Sequence, residues 1–248
     1  MTLEYHEFPL PFDCKLGKHT IVIGETGAGK SNILLNLYAY SPNRSIYYNT
    51  IGLIEVERAS DIVLDETSIS SLKDLLEKKK VRKICISPTD DVINNTMELM
   101  SLWQTICSIT FIHEDKEYTQ LRESQGFVKG KDFKRRGNVE LYCDEMMWVC
   151  QDEKMVPANE SILLRGRNYK ISLIMGAQRN QNISKKVTTQ TFHKFLMSID
   201  EYDVHALQGK VKHIELIPYL AEFHFIYYNK KLKNNPIFCK PLPLMLDE

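Results

Sequence analysis

The chain has 248 residues, enough for one large α/β domain or two small ones. Its 32 basic and 32 acidic side chains cancel, which excludes a global pull toward nucleic acid or membrane and leaves any polyanion site to a local patch. Hydrophobic content of 43% is ordinary for a globular protein, and no apolar run reaches membrane-spanning length. The opening Met1-Thr2-Leu3-Glu4-Tyr5-His6-Glu7 lacks the basic-then-apolar pattern of a signal peptide.

The six cysteines (Cys14, Cys85, Cys107, Cys143, Cys150, Cys239) are widely spaced and form no C-x-x-C pair. Several fall in apolar runs, which points to reduced core thiols and a cytoplasmic setting. The histidines show no zinc-binding spacing, so no zinc site is expected.

In chain order, residues 8–23 are expected to form a short entry strand, a turn at Leu16-Gly17-Lys18 and a buried strand His19-Thr20-Ile21-Val22-Ile23. That strand feeds Gly24-Glu25-Thr26-Gly27-Ala28-Gly29-Lys30-Ser31, which matches the phosphate-loop pattern G-x-x-x-x-G-K-[ST] at every fixed position. Glycines let successive N–H groups wrap one set of phosphate oxygens. Lys30 then reaches the β- and γ-phosphates of ATP, and the Ser31 hydroxyl is placed to ligate Mg²⁺. The helix that starts at the loop turns its positive end to the phosphates, and the nucleotide-contacting set runs from Gly24 to Asn32. Pro42 should stop that helix near Ser41.

Ser45-Ile46-Tyr47-Tyr48-Asn49 reads as a second strand. Residues 51–69 are ambiguous. Ser70 to Lys80 reads as a helix with Leu72, Leu75 and Leu76 inward and a solvated lysine end. Val81 to Ser87 reads as a strand closed by Pro88. Thr96 to Ile112 reads as a helix, with Trp103 in the core. Residues 113–138 then turn polar. Within them, Lys129, Lys131, Lys134, Arg135 and Arg136 form the densest basic cluster, either a solvated loop or a polyanion contact.

Val139-Glu140-Leu141-Tyr142-Cys143 ends in Asp144-Glu145. Alone, two acids after a strand are an ordinary solvated strand end. Downstream of a phosphate loop, Asp144 suits the Mg²⁺ shell and Glu145 suits a base that takes a proton from attacking water. The stretch between Lys30 and Asp144 leaves room for the class of NTPase with an extra strand between loop and acids. A helix over 157–167, with Pro157 in its first turn, ends in Arg165-Gly166-Arg167. The strand Ile171 to Ala177 delivers Gln178 and Arg179 to the carboxyl rim, beside Asp144. Gln178 there can orient water or sense the γ-phosphate, or simply cap a strand end. Lys194 to Ile199 reads as a strand, followed by a short helical piece. Glu222 to Tyr228 and Pro236 to Lys240 read as a closing hairpin around Asn229-Lys230-Lys231.

Leu16-Gly17-Lys18-His19 with the phosphate loop, and Arg165 through Arg179 with its terminal glutamine, resemble the HerA/FtsK superfamily of DNA-pumping ATPases. Gly176-Ala177-Gln178 keeps that family's glutamine but lacks its threonine. In length the chain is similar to the genome-packaging ATPases of internal-membrane icosahedral viruses and their poxvirus-type relatives. The resemblance implies one RecA-like P-loop ATPase domain over 1–248, with a mostly parallel sheet, flanking helices and a C-terminal β-hairpin. It implies a homo-oligomeric ring, often a hexamer, with ATP between subunits and an arginine supplied in trans; Arg165 and Arg167 are the candidates. It implies double-stranded DNA as cargo, a capsid vertex or membrane protein as a further partner, and a site in the host cytoplasm or virion. A cellular DNA-transfer or segregation ATPase is an alternative within the family. A small-molecule phosphotransferase is an alternative outside it, though no lid is evident. Glu145 argues against a non-catalytic nucleotide switch.

Overall fold

The computed structural model describes residues 3–12, 18–125, 139–146, 150–151, 154–155, 157–179, 185–209, 211–231 and 235–245. The strands are β1 (His19–Ile23), β2 (Arg44–Tyr48), β3 (Ile62–Leu64), β4 (Lys83–Ile86), β5 (Val139–Cys143), β6 (Cys150–Gln151), β7 (Lys154–Met155), β8 (Ile171–Ala177), β9 (Thr191–Leu196), β10 (Phe225–Asn229) and β11 (Ile237–Cys239). The helices are α1 (Lys30–Tyr40), α2 (Ile54–Arg58), α3 (Leu72–Glu77), α4 (Asp90–Ile93), α5 (Thr96–Gln125), α6 (Pro157–Tyr169), α7 (Lys185–Gln190) and α8 (Glu201–Leu207).

A nine-stranded sheet has the order β11-β10-β9-β1-β8-β5-β2-β4-β3. Every neighbouring pair from β9 to β3 is parallel, and β10 and β11 close the sheet as an antiparallel hairpin. Parallel strands are covered on both faces, so they read as continuous apolar runs, and alternate residues go to opposite layers. Ile46, Tyr48, Ile84, Ile86, Leu141, Cys143, Leu173 and Met175 face a core with α3, α5 and α6, built around Leu72, Trp103, Ile106 and Ile162. Tyr47, Cys85, Tyr142 and Ile174 face the other core, with Ile33, Leu34, Leu37 and Tyr38 of α1. Tyr47 and Tyr142 stack at 5.7 Å there, and Tyr38 meets both rings edge-on. Cys85, Cys107, Cys143 and Cys239 are free, buried thiols.

Two expectations needed revision, and one open stretch is resolved. The helix from Thr96 runs to Gln125 rather than stopping at Ile112. Polarity after Ile112 marks its outer face, and no glycine or proline interrupts the chain until Gly126. Within residues 3–12, the opening segment makes a single bridge, His6 to Cys239, instead of a strand. The ambiguous stretch after β2 contains α2 and the edge strand β3. The helix stop at Pro42 holds, because Ser41 is extended at ψ 131. No helix among the described residues is both long and apolar enough to cross a membrane.

Candidate nucleotide-binding site

The phosphate loop leaves β1 in the centre of the sheet. The Gly24 N–H donates to Ala177 O at 3.2 Å, and the Glu25 N–H donates to Ser198 O at 2.7 Å. The loop is thereby rooted between the ends of β8 and β9. Gly27 and Gly29 have φ of +81° and +97°, a region that strains any residue with a Cβ. A Cβ on Gly24 would sit 2.9 Å from Met197 Cβ. Lys30 opens α1, and its Nζ donates to Glu25 O at 2.9 Å. Partial burial holds the Lys30 ammonium below its ordinary pKa, while Glu145 and Glu25 pull it back up. The first N–H groups of a helix have no partner within it, so α1, which opens at the loop, brings anion affinity with its backbone. Asn32 is a special case within the expected set. Its side chain donates to Leu242 O at 3.3 Å and accepts from Met245 N at 3.1 Å, so it is turned to the C-terminal segment. Only its backbone remains for phosphate.

The acids lie at the end of β5, separated from β1 by β8. The expected inserted strand is therefore present, and it is the strand that carries Gln178. Gln178 Nε2 donates to Glu145 Oε2 at 3.0 Å. Both Asp144 and Glu145 are buried. The Asp144 carboxylate accepts from the Thr50 hydroxyl, from Thr50 N at 3.3 Å and from Ile51 N at 3.4 Å. Burial pushes Asp144 up to about 7, and the hydrogen bonds from Thr50 and Ile51 oppose that rise. Thr50 is a residue that sequence reading missed. Its signal was positional, since it follows β2 as Asp144 follows the neighbouring β5. Gly176 has a packing reason as well: a Cβ there would lie 2.2 Å from Asp144 O.

Arg165 and Arg167 are exposed on the last turns of α6, at the end of the sheet where β8 begins, opposite the phosphate loop. The fold does not bring them to the loop of their own chain. Gly166 between them is buried, and a Cβ on it would lie 2.5 Å from Ile171 O. The glycine lets α6 pass close to β8 while both arginines point outward. Arg179 pairs with Asp200 at 3.6 Å. Lys129, Lys131, Lys134, Arg135 and Arg136 lie outside the described residues.

A parallel sheet with the loop after β1, the acids after β5 and a glutamine-bearing strand between them is a fold shared with solved P-loop NTPases. Among solved structures with this fold is the genome-packaging NTPase B204 of Sulfolobus turreted icosahedral virus 2 in complex with ATP-γS. It has a TM-score of 0.63 at 15% identity, over 92% of this chain and 100% of that one. The plasmid coupling protein TrwB in complex with GDPNP has a TM-score of 0.62 at 10% identity, over 92% and 86%. Thermomonospora curvata EccC has a TM-score of 0.53 at 14% identity, and this chain spans 38% of that structure. Compared as a sequence, the chain matches no family model and no curated protein.

Proposed function

We propose that this chain hydrolyses ATP to drive double-stranded DNA, and that the DNA is a viral genome entering a capsid. The carrying observation is the contact between Gln178, at the end of the inserted strand, and Glu145, just past the neighbouring β5. A protein that only binds nucleotide needs the loop. It does not need a buried carboxylate steered by an amide from the next strand. Glu145 would accept the proton of attacking water, and Gln178 would hold Glu145 and the water in line. Lys30 and the amides of the loop would hold the β- and γ-phosphates.

The residues fit a divalent ion bound together with nucleotide. Ser31 and Asp144 offer a hydroxyl and a carboxylate, and Mg²⁺ there would neutralise charge on the phosphates. No group of three or more His, Cys, Asp or Glu that could hold a metal occurs among the described residues. The remaining coordination would therefore come from phosphate oxygens and water.

The packaging reading is supported by the near-complete mutual coverage with B204. TrwB keeps a cellular DNA-transfer role as the nearest rival. A ring of copies would bring Arg165 or Arg167 of one subunit to the loop of the next, which suits their place opposite their own loop. The test is ATP turnover with and without duplex DNA, in the wild type and in Lys30→Ala. Turnover stimulated by DNA and lost in the variant is expected. Turnover that survives Lys30→Ala would sink the nucleotide site, and turnover indifferent to DNA would sink the motor.

A further inference from the structure

A cleft of about 420 Å³ opens directly off the phosphate loop. One wall is Glu25 to Ala28. The other includes Ile217, Pro218, Leu220 and Phe223. Its volume falls in the range of small-ligand sites, roughly 300–1,000 Å³. The far wall is braced from behind. Tyr5 OH accepts from Ala221 N at 3.1 Å, and the Tyr5 ring lies 4.1 Å from that of His224. Leu220 N donates to Ile217 O and His224 N to Ala221 O, each at 3.0 Å.

Phe223 is the outlier of this wall. Its φ is +59°, a region that bulky side chains rarely adopt. The residue is 48% exposed, yet its Cδ1 would lie only 3.2 Å from a Cβ on Gly29. The chain thus holds a strained aromatic residue half in solvent, immediately beside the loop. Strain of this kind persists only where the surroundings enforce it, and it gathers at ligand clamps. Half of the residue is left to solvent beside the loop, which leaves aromatic surface free for a flat partner.

We infer that Phe223 is the stacking face of a nucleobase slot, and that the cleft takes the base and ribose of the nucleotide whose phosphates the loop holds. The occupant follows from continuity, since loop residues form one wall of the same cleft. The inference rests on the nucleotide reading above. Aromatic stacking on a base is sequence-tolerant and grows with overlap, so the slot favours purines over pyrimidines through ring area.

The test measures binding of ATP, CTP and inorganic tripolyphosphate to the full chain. Phe223→Gly removes the ring and relieves the backbone. Its thermal stability should match or exceed that of the wild type. ATP affinity should fall roughly tenfold or more, as expected from losing one stacked base. Tripolyphosphate affinity should stay the same, and the preference for ATP over CTP should shrink. Phe223→Trp should keep ATP affinity. If the glycine variant does not fold, Phe223→Leu must show the same selective loss. Unchanged ATP affinity overturns the slot, and so does equal weakening of ATP and tripolyphosphate, which would assign the ring to the loop. A wild-type chain that binds neither ligand overturns the nucleotide reading itself, an outcome distinct from either of these.

Discussion

Gln178 at the end of β8 and Glu145 just past β5 meet at 3.0 Å, amide to carboxylate, though 33 positions separate them in the chain. The amide donates to the carboxylate without transferring a proton, so it orients Glu145 and leaves its other oxygen available to accept one. Glu145→Gln should therefore retain ATP binding and lose hydrolysis by ~10²-fold or more, the usual worth of a positioned base. Gln178→Ala should cost less in rate and leave nucleotide affinity intact. Rapid-quench turnover and equilibrium binding measured on both variants separate these roles. Lost affinity with normal turnover in Glu145→Gln would refute the assignment.

Arg165 and Arg167 should act on a neighbour's nucleotide. An arginine delivered in trans is worth roughly 10³- to 10⁵-fold in rate in known systems. Lys30→Ala chains and Arg165→Ala/Arg167→Ala chains should each be inactive. Mixed, they should recover activity, because some interfaces combine an intact loop with intact arginines. Absence of recovery at every ratio, in assemblies shown to be mixed, rejects the trans role.

The basic stretch Lys129 to Arg136 should contact the DNA backbone, since a chain of zero formal charge must concentrate its cations to hold a polyanion. Alanine at Lys131, Lys134, Arg135 and Arg136 should flatten the salt dependence of DNA binding, as fewer counterions are released. DNA-stimulated turnover should drop and basal turnover should persist. An unchanged salt slope would reduce the cluster to a solvated loop.

Thr50 should hold Asp144 in place. Thr50→Val removes the hydroxyl donor from a buried carboxylate, which should cost ~1–3 kcal/mol in urea unfolding. Thr50→Ser should restore most of that loss. Equal stability of the valine variant and the wild type would show that the contact contributes little.

His19 should make stability fall with acid. Its Nδ1 accepts from Leu173 N at 3.0 Å, and its Nε2 lies 3.2 Å from Leu163 O, so the buried ring is neutral with the proton on Nε2. Burial lowers its pKa from 6.5 to about 4, with Lys230 adding to the fall and the bond to Leu163 opposing it. Between those values the unfolded chain binds more protons, so stability drops as pH falls, by on the order of 3 kcal/mol across the window. Asp144, raised to about 7, slopes the other way over much of the same range. The informative measurement is therefore wild type against His19→Gln, whose amide can replace both hydrogen bonds without titrating. The variant should lose less stability between pH 6.5 and 4. Parallel profiles would contradict the assignment.

Much of this molecule is local and therefore readable in the chain. The phosphate loop is a run of eight residues whose glycines and lysine are set by backbone geometry and charge. The parallel strands announce themselves because burial on both faces favours near-continuous apolar runs, interrupted only at isolated positions such as Ser45, Glu140 and Ser172. The order Asp144-Glu145, then Gln178, follows from functional groups clustering at strand ends. Polarity misled where it was taken for a loop: α5 continues past Ile112 because a helix needs only one apolar face. Three features had no local signal. Thr50 reaches Asp144 only because β2 lies beside β5. Arg165 and Arg167 stand opposite their own loop only because α6 runs back to the start of β8. Phe223 faces the loop only because the segment before β10 folds across the end of the sheet and forces φ to +59°. Each depends on the order in which strands assemble, and strand order is decided by the packing of the whole sheet and not by any one stretch of sequence.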